Sequence, residues 1–239
     1  MKATFASRAN AASAAPGVPS KALVWDAPVR LFHWLMVICF AGAFLSAESE
    51  RWRLLHVTLG YTMGGLVAFR LLWGFLGSRY ARFSEFVRGP AATAKYIASL
   101  LRRQPQHYIG HNPAGALAIV LLLALSVLIT VSGWALYNDL SGDWLEEVHE
   151  AIANLMLAVV AVHVLGVVLS SLLHRENLIS AMISGLKTVA PREAIRSAWR
   201  SVAAAMLVAV LAFWWMQWHN APTPEQLAQQ PAVSEQGRD

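Results

Sequence analysis

Charge is scarce in this chain. Only 14% of its 239 residues are Asp, Glu, Lys or Arg, whereas a soluble domain carries about a quarter. A water-facing enzyme fold is therefore excluded, and a hydrophobic content of 56% excludes a disordered tail protein as well. Cysteine is all but absent. The single Cys39 cannot form an intrachain disulfide, and without a Cys-x-x-Cys-His run haem cannot be attached in the c-type manner. Residues 1–20 have no apolar stretch, so they do not read as a signal peptide. Rich in Ala, Ser, Asn, Pro and Gly, they are expected to form a flexible cytoplasmic tail. There is no nucleotide fingerprint, no further metal cluster and no nucleophile–base pair to draw electrons from a soluble substrate. The net charge of +5 gathers in particular loops, as in membrane proteins, and no nucleic-acid partner is expected.

What the chain does have is long apolar runs. They fall at 29–47, 54–76, 114–137, 147–173 and 201–218, and a helix of about 20 such residues crosses a bilayer. The fifth ends in Trp214, Trp215 and Trp218, the pattern of a membrane interface. Basic residues crowd residues 1–30, the loop after the second run and the stretch after the fourth. The intervening loops are poor in net positive charge, and one holds Asp139, Asp143, Glu146 and Glu147 with no basic residue. The positive-inside rule then places the N-terminus in the cytoplasm and the C-terminus outside. A short helix is expected over Pro90–Arg102, and Asn112-Pro113 reads as a cap and first turn for the third span.

Eight histidines stand at 33, 56, 107, 111, 149, 163, 174 and 219. A histidine inside a membrane helix needs a partner and is a functional candidate, although a hydrogen bond to a neighbouring helix also satisfies it. His149 and His163 are 14 residues apart on one predicted helix. That spacing puts them roughly 21 Å apart in depth and about 40° apart around the axis. His56 opens the second span at the outer end and matches the depth of His149. His33 lies 14 residues before Ala47 and matches His163. Two levels with two imidazoles each is what two bis-histidine haems stacked across a bilayer require. His174 falls past the hydrocarbon core and reads as interfacial. His107, His111 and His219 are assigned solvated surface roles.

Arg70 follows His56 by 14 residues and so lies at the inner level. It either pairs with a haem propionate or snorkels to the cytoplasmic headgroups. Gly60, Gly64, Gly65 and Gly133 admit either a flat macrocycle or close helix–helix contact.

The run Val24-Trp25-Asp26-Ala27-Pro28-Val29-Arg30-Leu31-Phe32-His33-Trp34 carries a resemblance. So do His56 with Gly60, the stretch Phe69-Arg70-Leu71-Leu72-Trp73-Gly74-Phe75-Leu76-Gly77 and the loop Gly110-His111-Asn112-Pro113-Ala114-Gly115-Ala116. Glu146-Glu147-Val148-His149-Glu150 and His163 complete it. Over residues 21–187 the chain resembles the bacterial cytochrome b561 family, which includes the b-type cytochrome subunits of nickel–iron hydrogenases. The resemblance implies four core helices, two non-covalent b haems and quinone as a common redox partner. Carried onto this sequence, the haem ligands are His33, His56, His149 and His163.

The expectation is thus an all-α integral membrane protein of the bacterial inner membrane. A four-helix transmembrane bundle (21–187) holds two haem b groups, on the pairs His33/His163 and His56/His149. A basic connector, a fifth transmembrane helix and an external tail follow (188–239), as a dock for a partner or as an appendage. The chain would pass electrons between quinone and a partner redox subunit or cytochrome c. The alternatives are a stand-alone quinone-linked oxidoreductase acting on a small oxidant or reductant, and a haem-free transporter or assembly factor.

Overall fold

The chain first turns helical where Asp26 accepts a hydrogen bond from the Val29 amide (2.8 Å), with Pro28 in the opening turn. Such a side chain satisfies one of the amides that a helix start leaves bare. A computed structural model describes residues 18–102, 106, 108–140 and 142–221. Its elements in order are β1 (Ser20–Leu23), α1 (Ala27–Ser46), α2 (Arg53–Leu76), α3 (Phe83–Phe86), α4 (Pro90–Leu101) and α5 (Pro113–Tyr137). These are followed by α6 (Trp144–His174), α7 (Leu178–Ser184), β2 (Leu186–Val189) and α8 (Arg200–His219). Helices α1, α2, α5, α6 and α8 are long and apolar enough to cross a membrane. Asn112 caps α5 through the Gly115 amide at 2.7 Å, with Pro113 in the first turn, as the sequence predicts.

An antiparallel ribbon amends the all-α expectation. Strand β1 pairs with β2, Leu23 opposite Leu186 and Ser20 opposite Val189. Gly185 turns the chain into β2 at φ +83°, and a Cβ there would lie 2.7 Å from the Trp25 carbonyl oxygen. The ribbon ties the segment before α1 to the segment after α6. Val24, Trp25, Tyr80, Ala181 and Val189 pack together beneath it. This end of the bundle, the ribbon end, holds the starts of α1, α5 and α8 and the ends of α2 and α6.

Helix α1 packs on α2, α2 on α5, and α5 on α6. Helix α8 lies against α1 and α2, sends Met206 and Val210 into the core beside Cys39 and Met63, and is a full member of the bundle. Trp214, expected in the interface belt, donates its indole N–H to the Thr62 hydroxyl of α2 at 2.8 Å. Leu72, Phe75, Val162, Leu165, Val208 and Trp215 point outward, so the apolar surface faces lipid. Helix α6 carries three of the histidines, yet only Met156 and Ser170 are buried along its length.

Candidate functional site

At the end away from the ribbon, His56 sits in the first turn of α2 and His149 near the start of α6. Their ring centroids are 6.3 Å apart, with the planes inclined by 68°. His56 Nδ1 lies 2.9 Å from the Ala43 carbonyl oxygen, which can only accept, so Nδ1 is the donor and Nε2 is the nitrogen left to meet a metal. His149 Nδ1 lies 2.9 Å from the Ser132 hydroxyl. That hydroxyl donates to the Ile129 carbonyl (3.2 Å) and accepts from His149. Fixing Nδ1–H in this way is how proteins prepare a histidine to ligate through Nε2. Two imidazole nitrogens each about 2.0 Å from one metal put their ring centroids about 6 Å apart. The observed spacing fits that arrangement.

Glycines divide the two readings offered by the sequence. A Cβ on Gly133 would lie 2.9 Å from His149 Cε1, so its absence lets this imidazole rest against α5. A Cβ on Gly64 would strike Thr130 Cγ2 at 2.6 Å, so that glycine serves helix contact. Around Gly60, one turn beyond His56, a Cβ would meet nothing within 4 Å.

The ribbon-end half holds His33 on α1 and His163 on α6, half-buried and within electrostatic reach of each other. His33 Nδ1 is sealed from solvent and has no hydrogen-bond partner among the described residues. Arg70 is 3% exposed and therefore does not snorkel. Its guanidinium lies 5.0 Å from the centroid of the Phe83 ring and 5.9 Å from that of Phe86, and Nη1 is sealed with no partner. Asp26 is within electrostatic reach of Arg70. Its carboxylate, however, is bonded to the Val29 amide, the Trp73 indole (3.0 Å) and the Ser78 hydroxyl (2.5 Å). A buried cation in this state calls for an anion.

His111 corrects the surface assignment. Its ring packs on Trp25 (centroids 4.5 Å apart) and on Phe86 (4.8 Å), and its Nδ1 is sealed and unpartnered. Burial, reinforced by Arg70, pushes this imidazole down to about 3. The Asn112–Pro113 cap turns the chain into α5 and leaves the preceding residue half-buried against Trp25 and Phe86. The one sequence signal for this was the Gly-His-Asn-Pro run itself. His174 Nδ1 donates to the Ser170 carbonyl at 2.9 Å, and His219 is exposed and stacks on Trp215. His107 lies outside the described residues.

Against known proteins, residues 24–185 match the family model for prokaryotic cytochrome b561. A probable Ni/Fe-hydrogenase B-type cytochrome subunit of Rhizobium leguminosarum bv. viciae is 25% identical over 217 residues, covering 71% of this chain and 90% of that protein. The corresponding protein of Rhodobacter capsulatus is 25% identical over 213 residues, 69% of this chain and 80% of its own length. A probable Ni/Fe-hydrogenase 1 B-type cytochrome subunit of Escherichia coli (strain K12) is 31% identical over 142 residues, 48% of this chain and 60% of that one. No solved structure matches. The family model spans more than half of the chain and takes in all four histidines of the two levels, and the chain belongs to the prokaryotic cytochrome b561 family.

Proposed function

We propose that this chain is the membrane cytochrome b subunit of a quinone-linked oxidoreductase and holds two b haems at two depths. His56 and His149 hold one, His33 and His163 the other, and Arg70 pairs with a propionate of the second. The observation that carries this reading is the His56–His149 pair: 6.3 Å between rings, with each Nδ1 already bonded. Bound haem iron supplies one-electron redox chemistry. The chain's own residues orient the imidazoles, keep water out and set the depth of each site. Ala43 and Ser132 fix the far-end rings, and Phe83 and Phe86 cover Arg70. His149 and His163 lie roughly 21 Å apart along α6, most of the thickness of a hydrocarbon core of about 30 Å.

The relatives' names favour a hydrogenase as the partner redox protein, with quinone at the other end of the path. Purified protein is expected to show a reduced b-type spectrum at close to two haems per chain, and a quinol analogue should reduce it in stopped flow. Co-purification of a hydrogenase would support the subunit role. If quinol reduced the haems with no second polypeptide in the preparation or the operon, the stand-alone reading would replace it. A preparation with no haem spectrum would defeat both.

We further propose the inner membrane of a bacterium, with the ribbon end in the cytoplasm. Arg79, Arg82, Arg88, Arg192 and Arg196 border that end, while Asp143, Glu146 and Glu147 begin α6 at the other. A reporter fused at Arg88 is expected to read cytoplasmic, and reporters fused after Asp143 or beyond Pro222 to read external. A cytoplasmic reading for the last would mean that α8 does not cross.

A further inference from the structure

We propose that His111 is the second arm of a buried carboxylate seat, in which its Nδ1–H and the Arg70 guanidinium together hold one propionate of the ribbon-end haem. This rests on the two-haem reading.

Arg70 arrives from α2 and His111 from the loop before α5, and both lie on the Phe86 ring, at 5.9 and 4.8 Å. Each ends in a nitrogen that is sealed from solvent and meets no acceptor among the described residues, Arg70 Nη1 and His111 Nδ1. Arg70 is the charged group that His111 feels most strongly, ahead of Lys187, with His163 and His33 next. His111 thus stands in the field of both the cation and the pair assigned to the ribbon-end iron.

Among the described residues, the carboxylates of Asp26, Glu176 and Glu193 and the Ile109 carbonyl already have donors. Asp26 takes Val29, Trp73 and Ser78. Glu176 pairs with Lys187 at 3.2 Å, and the Ile109 carbonyl takes Lys187 Nζ at 2.9 Å. Glu193 takes Arg79 and Tyr80. Among the described residues no acceptor is left for the two sealed nitrogens, and we assign that role to a group from outside the chain. A carboxylate offers two oxygens, enough for one guanidinium and one imidazole N–H. The propionate of a haem held on His33 and His163 brings such a group to this depth.

The test uses full-length protein loaded with haem carrying ¹³C in its propionate carboxylates. Redox-difference infrared spectra and midpoint potentials are compared among the parent, His111→Phe and His111→Gln. The two reduction steps are assigned with His149→Ala, which keeps the ribbon-end haem. Phe preserves a ring between Trp25 and Phe86 but carries no N–H, whereas Gln restores a donor. Losing a donor leaves the carboxylate more negative and favours ferric iron. His111→Phe should therefore shift the labelled band and lower the ribbon-end ferrous-to-ferric equilibrium by roughly tenfold, about 59 mV downward for a one-electron couple. His111→Gln should stay near the parent potential, and the far-end haem should not respond to either change. A band and potential unmoved by His111→Phe would overturn the proposal. Equal shifts for Phe and Gln would also overturn it, since they would mark a packing role. If His111→Phe fails to hold the haem, the parent decides with ¹⁵N-labelled histidine beside the ¹³C-labelled propionates: a ¹⁵N–¹³C dipolar coupling that His111→Gln abolishes is expected, and the lack of such a coupling refutes the contact. Absence of two haems in the parent would instead remove the reading beneath it.

Discussion

His149→Ala is expected to purify with one haem and the parent with two, and His163→Ala is expected to lose the other. The case is strongest for His149. Its ring is held by the Ser132 hydroxyl at 2.9 Å, rests against the backbone of Gly133 and faces His56 at 6.3 Å. Removing a side chain that only orients a metal ligand costs about 10- to 100-fold in affinity. Ser132→Ala should weaken the far-end haem by that order, and deleting the ligand itself should cost more. Quantitative haem extraction against protein concentration, with the reduced spectrum, measures each. His174→Ala serves as the control, because His174 closes α6 well beyond His163, past the hydrocarbon core. Two intact haems after loss of either His149 or His163 would sink the assignment. A haem lost with His174 would overturn the depth argument behind it.

That depth argument was available from the sequence because a helix converts residue count into distance. Fourteen residues separate His149 from His163, and the apolar runs at 54–76 and 147–173 set where each helix begins. The structure starts α2 and α6 at Arg53 and Trp144, so His56 and His149 do meet at one end. Other features depend on contacts between residues far apart in the chain, which no periodicity reports. His111 looks like loop sequence until Trp25 and Phe86 are folded against it. Trp214 looks like its neighbours in the belt until Thr62 is found at its N–H. The ribbon was hidden because Ser20–Leu23 and Leu186–Val189 are too short to show strand alternation alone, and each is a strand only through the other. Arg70 was ambiguous for a related reason. Its stem is long enough to snorkel, and only Phe83 and Phe86, brought over it by the turn after α2, keep it inside.

Asp26→Ala should destabilise the ribbon end more than any other single change outside the histidines. The residue is 1% exposed, and its two oxygens join three segments. They cap α1 at the Val29 amide, hold the Trp73 indole of α2 and hold the Ser78 hydroxyl just beyond it. Deleting them strands three donors, the buried Val29 amide and Trp73 indole and the half-buried Ser78 hydroxyl. A lost cap costs about 1 kcal/mol, and a stranded buried donor about 1–3 kcal/mol. Arg30 and Arg70 also lose the carboxylate within their electrostatic reach. These contributions overlap, so the expected loss is on the order of 3–5 kcal/mol. Asp26→Asn keeps one acceptor oxygen and the shape, and should fall between Ala and the parent. Trp73 is the local reporter. It stacks on Phe69 at 5.7 Å and meets Trp199 edge-on at 5.5 Å, so its release loosens the start of α8 as well. His33 lies two turns into the helix that Asp26 caps, whereas His56 and His149 sit at the opposite end. Thermal unfolding in detergent, followed by intrinsic fluorescence together with haem absorbance, should therefore show a lower midpoint and earlier loss of the ribbon-end haem. An unchanged midpoint in Asp26→Ala, or release of the far-end haem first, would show that this carboxylate does not hold the ribbon end together.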